Sequence, residues 1–273
     1  MSIKTIVVTI TEADEAARVV GTALDLAERL DAHLVGVGVK RPIAVPVYSM
    51  GAIPDTVLEQ LDSAEDERLG KLREAFQHQV KLADWTARSD WRVYAAPMAM
   101  AVAEAARCAD LIVIGQPVDD NVPDDVAMLA GDLVMNASTP ILMVPNIGAK
   151  PIAGGEALVG WNGGREAARA LHDALPMLRL AGKVTLVTVG GDAVVSGEEA
   201  AEYLARHDLK VTLQHEPSTE LDPGDVLLNL AADRDARLIV IGAYGHSRLR
   251  EYVLGGSTRT ILDHMTVPVV LSR

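Results

Sequence analysis

The chain of 273 residues is short of aromatics, with one Phe, three Trp and five Tyr. Hydrophobic residues still make up 49%, so the core must be built from Val, Leu, Ile, Ala and Met. A single cysteine, Cys108, excludes an internal disulfide framework and suits a reducing compartment. Its place at a helix end before an apolar strand predicts a buried structural thiol rather than a nucleophile. Basic residues are also scarce: 25 Lys and Arg face 38 Asp and Glu, for a net charge of −13. That argues against nucleic acid as the main partner, because a phosphate backbone needs a basic face. No apolar run reaches the ~18 residues of a membrane span. Met1–Ile10 lacks a signal-peptide apolar region and cleavage site, so a cytoplasmic protein is expected. There is no P-loop, no G-x-G-x-x-G after the first strand and no G-x-S-x-G elbow. P-loop ATPases, classical NAD enzymes and serine hydrolases therefore lose support. The seven histidines are scattered, which leaves a structural zinc site unsupported.

What the chain does have is a repeat. Leu111-Ile-Val-Ile-Gly115 recurs as Leu238-Ile-Val-Ile-Gly242, and Thr139-Pro-Ile-Leu142 as Val267-Pro-Val-Val270. Nearer the front, Glu15-Ala-Ala-Arg18 recurs as Glu166-Ala-Ala-Arg169. The offset falls from 151 to 127 along the chain, so the first copy carries about 24 extra residues in its middle. Runs of Val, Ile and Leu flanked by amphipathic stretches predict parallel strands covered by helices on both faces. The expected fold is α/β: two tandem doubly wound domains, each with a mostly five-stranded parallel sheet. The predicted domains are 1–146, with an inserted arm near 40–64, and 155–273. Ile147–Gly155, with three Gly and one Pro, is the expected linker. A long charged helix is predicted over Glu59–Lys81. Asp222–Arg234 should be another helix, with Pro223 in its first turn.

In open parallel sheets ligands bind beyond the C-terminal strand ends. After Leu238–Ile241 come Gly242 and Gly245, then nine residues, then Gly255-Gly256-Ser257-Thr258 opening a predicted helix. Glycine amides and a helix N-terminus together make an anion nest. Ser257 and Thr258 can donate hydrogen bonds or cap that helix. His246, Arg248, Arg250 and Arg259 bring basic groups to the same stretch.

This spacing resembles the nucleotide motif of the universal stress protein family, and the resemblance spans nearly the whole chain as a tandem pair. It implies a Rossmann-like fold of the adenine nucleotide alpha hydrolase type. It also implies an ATP site in which Gly242, Gly245, Gly255 and Gly256 hold phosphates and ribose. Gly256 stands where Ser or Thr is usual, which displaces the hydroxyl to Ser257 or Thr258. In the run Gly160-Trp161-Asn162-Gly163, Asn162 stands where the family has Asp, near the adenosine. Asn keeps a donor and an acceptor without the charge. A helix N-cap is the equal alternative for Asn162. Val189, ending the second strand, matches the adenine contact.

The first copy departs further. Thr11 falls at the Asn162 position, and Gln116-Pro117 follows Gly115 without a second glycine. Its loop carries Asp119, Asp120, Asp124, Asp125 and Asp132 and no Lys or Arg. These aspartates read as a solvated acidic loop, with Mg²⁺ or Ca²⁺ binding as the alternative. Residues 1–150 hold 13 basic and 22 acidic residues, net −9. The expectation is one ATP, with or without Mg²⁺, in the second domain and none in the first, in a stress-response binding or sensing module. The alternatives are a slow ATPase at the same glycine loop, with no catalytic residue identifiable, or a small-molecule or lipid binder using the first domain. The two copies are expected to pack as an internal pseudo-dimer, and a homodimer is open.

Overall fold

The computed structural model describes residues 2–42, 54–117, 122–190, 197–217, 221–243 and 256–273. In the first half, strands β1 (Thr5–Thr9), β2 (His33–Lys40), β3 (Ser89–Ala95), β4 (Leu111–Gly115) and β5 (Ile141–Val144) alternate with helices α1 (Ala16–Leu30), α2 (Asp55–Leu82), α3 (Met98–Ala105), α4 (Asp124–Ala127) and α5 (Leu129–Asn136). The second half repeats the plan. Its strands are β6 (Glu156–Gly160), β7 (Lys183–Val189), β8 (Val211–Glu216), β9 (Leu238–Gly242) and β10 (Val269–Ser272). Its helices are α6 (Arg165–Ala181), α7 (Gly197–Arg206), α8 (Pro223–Asp233) and α9 (Gly256–His264).

The ten strands form one sheet in the order β3-β2-β1-β4-β5-β10-β9-β6-β7-β8. Each half contributes five parallel strands. The halves join where β5 and β10 pair antiparallel, with Leu142 opposite Val270. The two five-stranded parallel sheets are thereby joined edge to edge. The seam is apolar: Leu142, Val144, Val269, Val270 and Leu271 are fully buried. Helices α1, α2, α6 and α7 cover one face and α3, α4, α5, α8 and α9 the other. The central strands β4 and β9 bury four successive residues each, as a sheet covered on both faces requires. The edge strands β3 and β8 alternate partly buried with exposed positions and carry polar residues, which protects the edges from pairing.

Local signals explain the element ends. Asp222 caps α8 by accepting from Gly224 N at 2.8 Å, with Pro223 at the first helical position. Gly182 ends α6 at φ 82°. The expected linker is packed down. Ile152 is buried, Gly154 N donates to Leu180 O (2.9 Å), and Lys150 pairs with Asp235 (2.6 Å).

Two expectations need correction. Cys108 is exposed, because it lies in the turn between α3 and β4 rather than on an inward helix face. The inserted residues are not only an arm. They lengthen α2 to 28 residues, against 10 for its counterpart α7, so the helix begins at Asp55. Residues 43–53 of the arm lie outside the described residues.

Candidate functional site

The crevice of interest lies beyond the C-terminal ends of β6, β7 and β9. Trp161 N extends the ladder past β6 by donating to Val187 O at 2.8 Å, and the Trp161 side chain is buried. Asn162 Oδ1 accepts from Gly164 N at 2.9 Å. This is an Asx turn. Gly164 is the N-cap of α6, so Asn162 stands two residues before the cap and orders the loop instead. Gly163 adopts φ 71°, which a side chain would strain. Val189 is half-buried at the end of β7, next to Gly190.

At the end of β9, a Cβ on Gly242 would lie 2.3 Å from the carbonyl carbon of Glu166 and 2.4 Å from Ala167 N. This glycine lets the first turn of α6 settle on the strand end. Gly256 opens α9. Ser257 Oγ donates to Asp222 Oδ2 at 2.9 Å, and Thr258 is buried. Neither hydroxyl is the helix cap the sequence suggested, since both lie inside the first turn. Gly245, His246, Arg248 and Gly255 lie outside the described residues, as do Asp119, Asp120 and Asn121. The sequence marks Asp222 only as a helix start. It places a carboxylate beside the start of α9, and only the folded contact of α8 with α9 reveals this.

The corresponding crevice of the first half is filled by its own side chains. Glu15 folds back under the β1–α1 loop. Its Oε1 accepts from the backbone N of Thr11, from Thr11 Oγ1 (2.9 Å) and from Glu12 N (3.2 Å). Its Oε2 pairs with Arg18 Nη2 at 3.1 Å. The Arg18 guanidinium then reaches the carbonyls of Gln116 (3.3 Å), Val144 (2.9 Å) and Pro145 (3.1 Å), across the ends of β4 and β5. Burial lowers the Arg18 pKa, while Glu15 and Asp14 raise it. A second pair comes from α2. Arg68 donates to Val39 O (2.7 Å) and Thr11 O (3.4 Å), closing the ends of β2 and β1. Glu65 holds Arg68 at 2.7 Å and accepts from Arg41 N at 2.9 Å. The Arg68 hydrogen bond holds the Glu65 carboxyl at about 2, below its ordinary 4.5, against a smaller opposing effect of burial.

In the second half the same letters do otherwise. Glu166 Oε1 pairs with Arg165 at 2.9 Å. Arg169 turns to Asp173 (2.7 Å) and to Ser138 O (3.4 Å) across the seam. Among the described residues, no arginine crosses the ends of β6 and β7. The acidic loop of the first half is also less isolated than its sequence implied, for Arg41 from the arm stands 4.0 Å from Asp125. No group of three or more His, Cys, Asp or Glu suited to a metal occurs among the described residues.

Comparison with known proteins fits this geometry. Residues 156–273 match the profile of the universal stress protein family. They form a universal stress protein domain. The whole chain is similar in fold to a universal stress protein from Archaeoglobus fulgidus DSM 4304, with a TM-score of 0.70, 13% identity and 98% of both chains covered. A Pseudomonas aeruginosa UCBPP-PA14 protein bearing the same family name has a TM-score of 0.61 at 16% identity, over 99% of this chain and 93% of that one. A functionally unknown protein from Pseudomonas aeruginosa PAO1 also reaches 0.61, at 17% identity, over 99% and 92%. No curated protein matches the chain. No helix among the described residues is long and apolar enough to cross a membrane.

Proposed function

We propose that the universal stress protein domain binds one adenine nucleotide, ATP foremost, beyond β6, β7 and β9. On this reading the first half binds none, and the chain works as a stress-response sensing module. The observation that carries the proposal is the asymmetry of the two crevices: Glu15, Arg18 and Arg68 fill the first, whereas among the described residues Glu166 and Arg169 make their bonds elsewhere. Asn162, Gly163 and Val189 would meet the nucleoside. Gly242, Gly245, Gly255 and Gly256 would meet ribose and phosphates, with His246 and Arg248 supplying basic groups. Asp222 has the chemistry to hold a Mg²⁺ that accompanies the phosphates. Without the cation its charge opposes them. The antiparallel pairing of β5 with β10 supports treating the two halves as an internal pseudo-dimer, the first half serving as a fixed partner.

Native mass spectrometry of the purified chain, followed by ATP titration, tests the proposal. The expected result is one nucleotide per chain, lost in Gly245→Asp. Two nucleotides per chain, or none at millimolar ATP, would overturn it. Asp222→Asn should make ATP binding less dependent on Mg²⁺, measured by calorimetry with and without the cation. Phosphate release in the same samples separates binding from slow hydrolysis.

A further inference from the structure

A buried side chain of the first half reaches into the second. Gln116 follows β4 and is 6% exposed. Its backbone N donates to Val144 O (2.8 Å), and its own carbonyl accepts from Arg18 Nη2 (3.3 Å). Its Oε1 accepts from Asn146 N (3.0 Å). These three bonds fix where the side-chain amide points. Nε2 crosses the seam and donates to Leu262 O (2.8 Å) and Asp263 O (3.3 Å), in the last turn of α9. A helix leaves its last four carbonyls without an intrahelical partner. Gln116 satisfies two of them in α9, and its N–H dipole faces the negative end of the helix.

Helix α9 has nine residues, so about 13 Å separate this bond from its first turn. The first turn is held by its own half. Ser257 Oγ bonds Asp222 Oδ2 (2.9 Å), Thr258 is buried, and a Cβ on Gly224 of α8 would lie 2.6 Å from Ser257 O. The last turn is held by the other half. This tie runs one way. Ala243 stands in the second half where Gln116 stands in the first, after the same Leu-Ile-Val-Ile-Gly run. Its N donates to Ser272 O (2.9 Å) as Gln116 N does to Val144 O. A methyl group has no donor, so α5, the counterpart of α9, receives no such bond from Ala243.

We propose that Gln116, from the half that takes no nucleotide, is a positioning residue for the nucleotide crevice of the other half. It anchors the C-terminal end of α9 and so fixes where the first turn presents its amides to a phosphate. This role rests on the reading of that crevice as a nucleotide site. The plugged half then serves as a brace, since Arg18, which closes its crevice, also holds the carbonyl of Gln116.

The test uses the ¹⁵N-labelled full chain. Gln116→Met keeps the length of the side chain and removes the donor. Gln116→Glu keeps an acceptor for Asn146 N but turns a carboxylate toward the carbonyls of Leu262 and Asp263. Urea denaturation checks that each variant is folded. Without ligand, the amide resonances of Gly256, Ser257 and Thr258 should move in both variants, and farther in Gln116→Glu, while those of β7 stay in place. In calorimetry, ATP should bind about tenfold more weakly to Gln116→Met, the scale of one net hydrogen bond. It should bind more weakly still to Gln116→Glu. A purely structural role would lower the denaturation midpoint and leave both the first-turn resonances and the affinity of the folded chain unchanged. Unmoved first-turn resonances, or wild-type ATP affinity in both variants, would overturn the role of Gln116. A wild type that takes no ATP at millimolar concentration would overturn the reading of the crevice, and the first-turn resonances would then decide alone whether Gln116 sets the place of α9.

Discussion

At the scale of single residues, close contact decides more than composition. Gly242 is the clearest case, because any Cβ there meets the backbone of Glu166 and Ala167 within 2.4 Å. Gly242→Ala should cost about 1–3 kcal/mol in urea denaturation, since rigid backbone rather than a flexible side chain must yield. It should also displace the start of α6. Arg18 is a second case. Replacing it with Met leaves the Glu15 carboxylate buried beside unpaired carbonyls, at a cost of about 3 kcal/mol. The double variant Glu15→Gln, Arg18→Met should lose less than the two single losses added, a coupling that chemical denaturation measures. Cys108, exposed on its turn, should react with a thiol reagent in the native state. These residues also mark where reading the sequence stops. The glycines announced a close approach, and the structure gives Gly242 a partner. Glu15-Ala-Ala-Arg18 and Glu166-Ala-Ala-Arg169 are identical in type, yet one pair plugs a crevice and the other does not. The rotamer of an arginine follows from which carbonyls lie within reach, and no linear spacing encodes that.

At the scale of elements, the difference between the halves is carried by α2. The charged helix is legible over Glu59–Lys81, but the offset change reads as an arm, whereas part of the insertion extends the helix back to Asp55. Its function as a cover is not legible, because the contacts of Arg68 with Val39 and Thr11 join residues far apart in the chain. The cover has a pH signature. Glu65 is held at about 2 in the folded chain against an ordinary 4.5, so it stays ionised to lower pH than in the unfolded chain. A depressed carboxyl pKa stabilises above the unfolded value and loses that contribution as pH falls through the folded one. The wild type should therefore lose stability between about 4.5 and about 2 more steeply than Glu65→Gln, when both are followed by denaturation at each pH. The strands were the most legible elements. The repeated run at Leu111–Gly115 and Leu238–Gly242 has the bounds of β4 and β9, since four successive apolar residues suit a strand covered on both faces.

At the scale of the whole molecule, the two five-stranded sheets of the tandem repeat are fused through β5 and β10. Gln116 ties the halves further. Its Nε2 donates to Leu262 O (2.8 Å) and Asp263 O (3.3 Å) at the end of α9, and its Oε1 accepts from Asn146 N (3.0 Å). Arg169 of the second half adds a bond to Ser138 O of the first at 3.4 Å. With the ladder continuous, calorimetry should record one cooperative unfolding transition rather than two. Val270→Pro, in the middle of the seam, removes a ladder donor and should cost about 3 kcal/mol or more. Both halves should be affected together.

The antiparallel seam also gives the molecule two unlike edges. Because β5 and β10 run in opposite directions, the strand ends of one half lie level with the strand starts of the other. Helix α1 runs back along its sheet, so its last turns sit at the strand starts of the first half. That is the edge at which β6, β7 and β9 end. Five strand spacings separate β1 from β6, about 24 Å along the sheet. The opposite edge carries the crevice plugged by Glu15, Arg18 and Arg68. Each edge of the sheet therefore carries the strand ends of one half only, so the plugged crevice of the first half and the candidate crevice of the second face opposite ways.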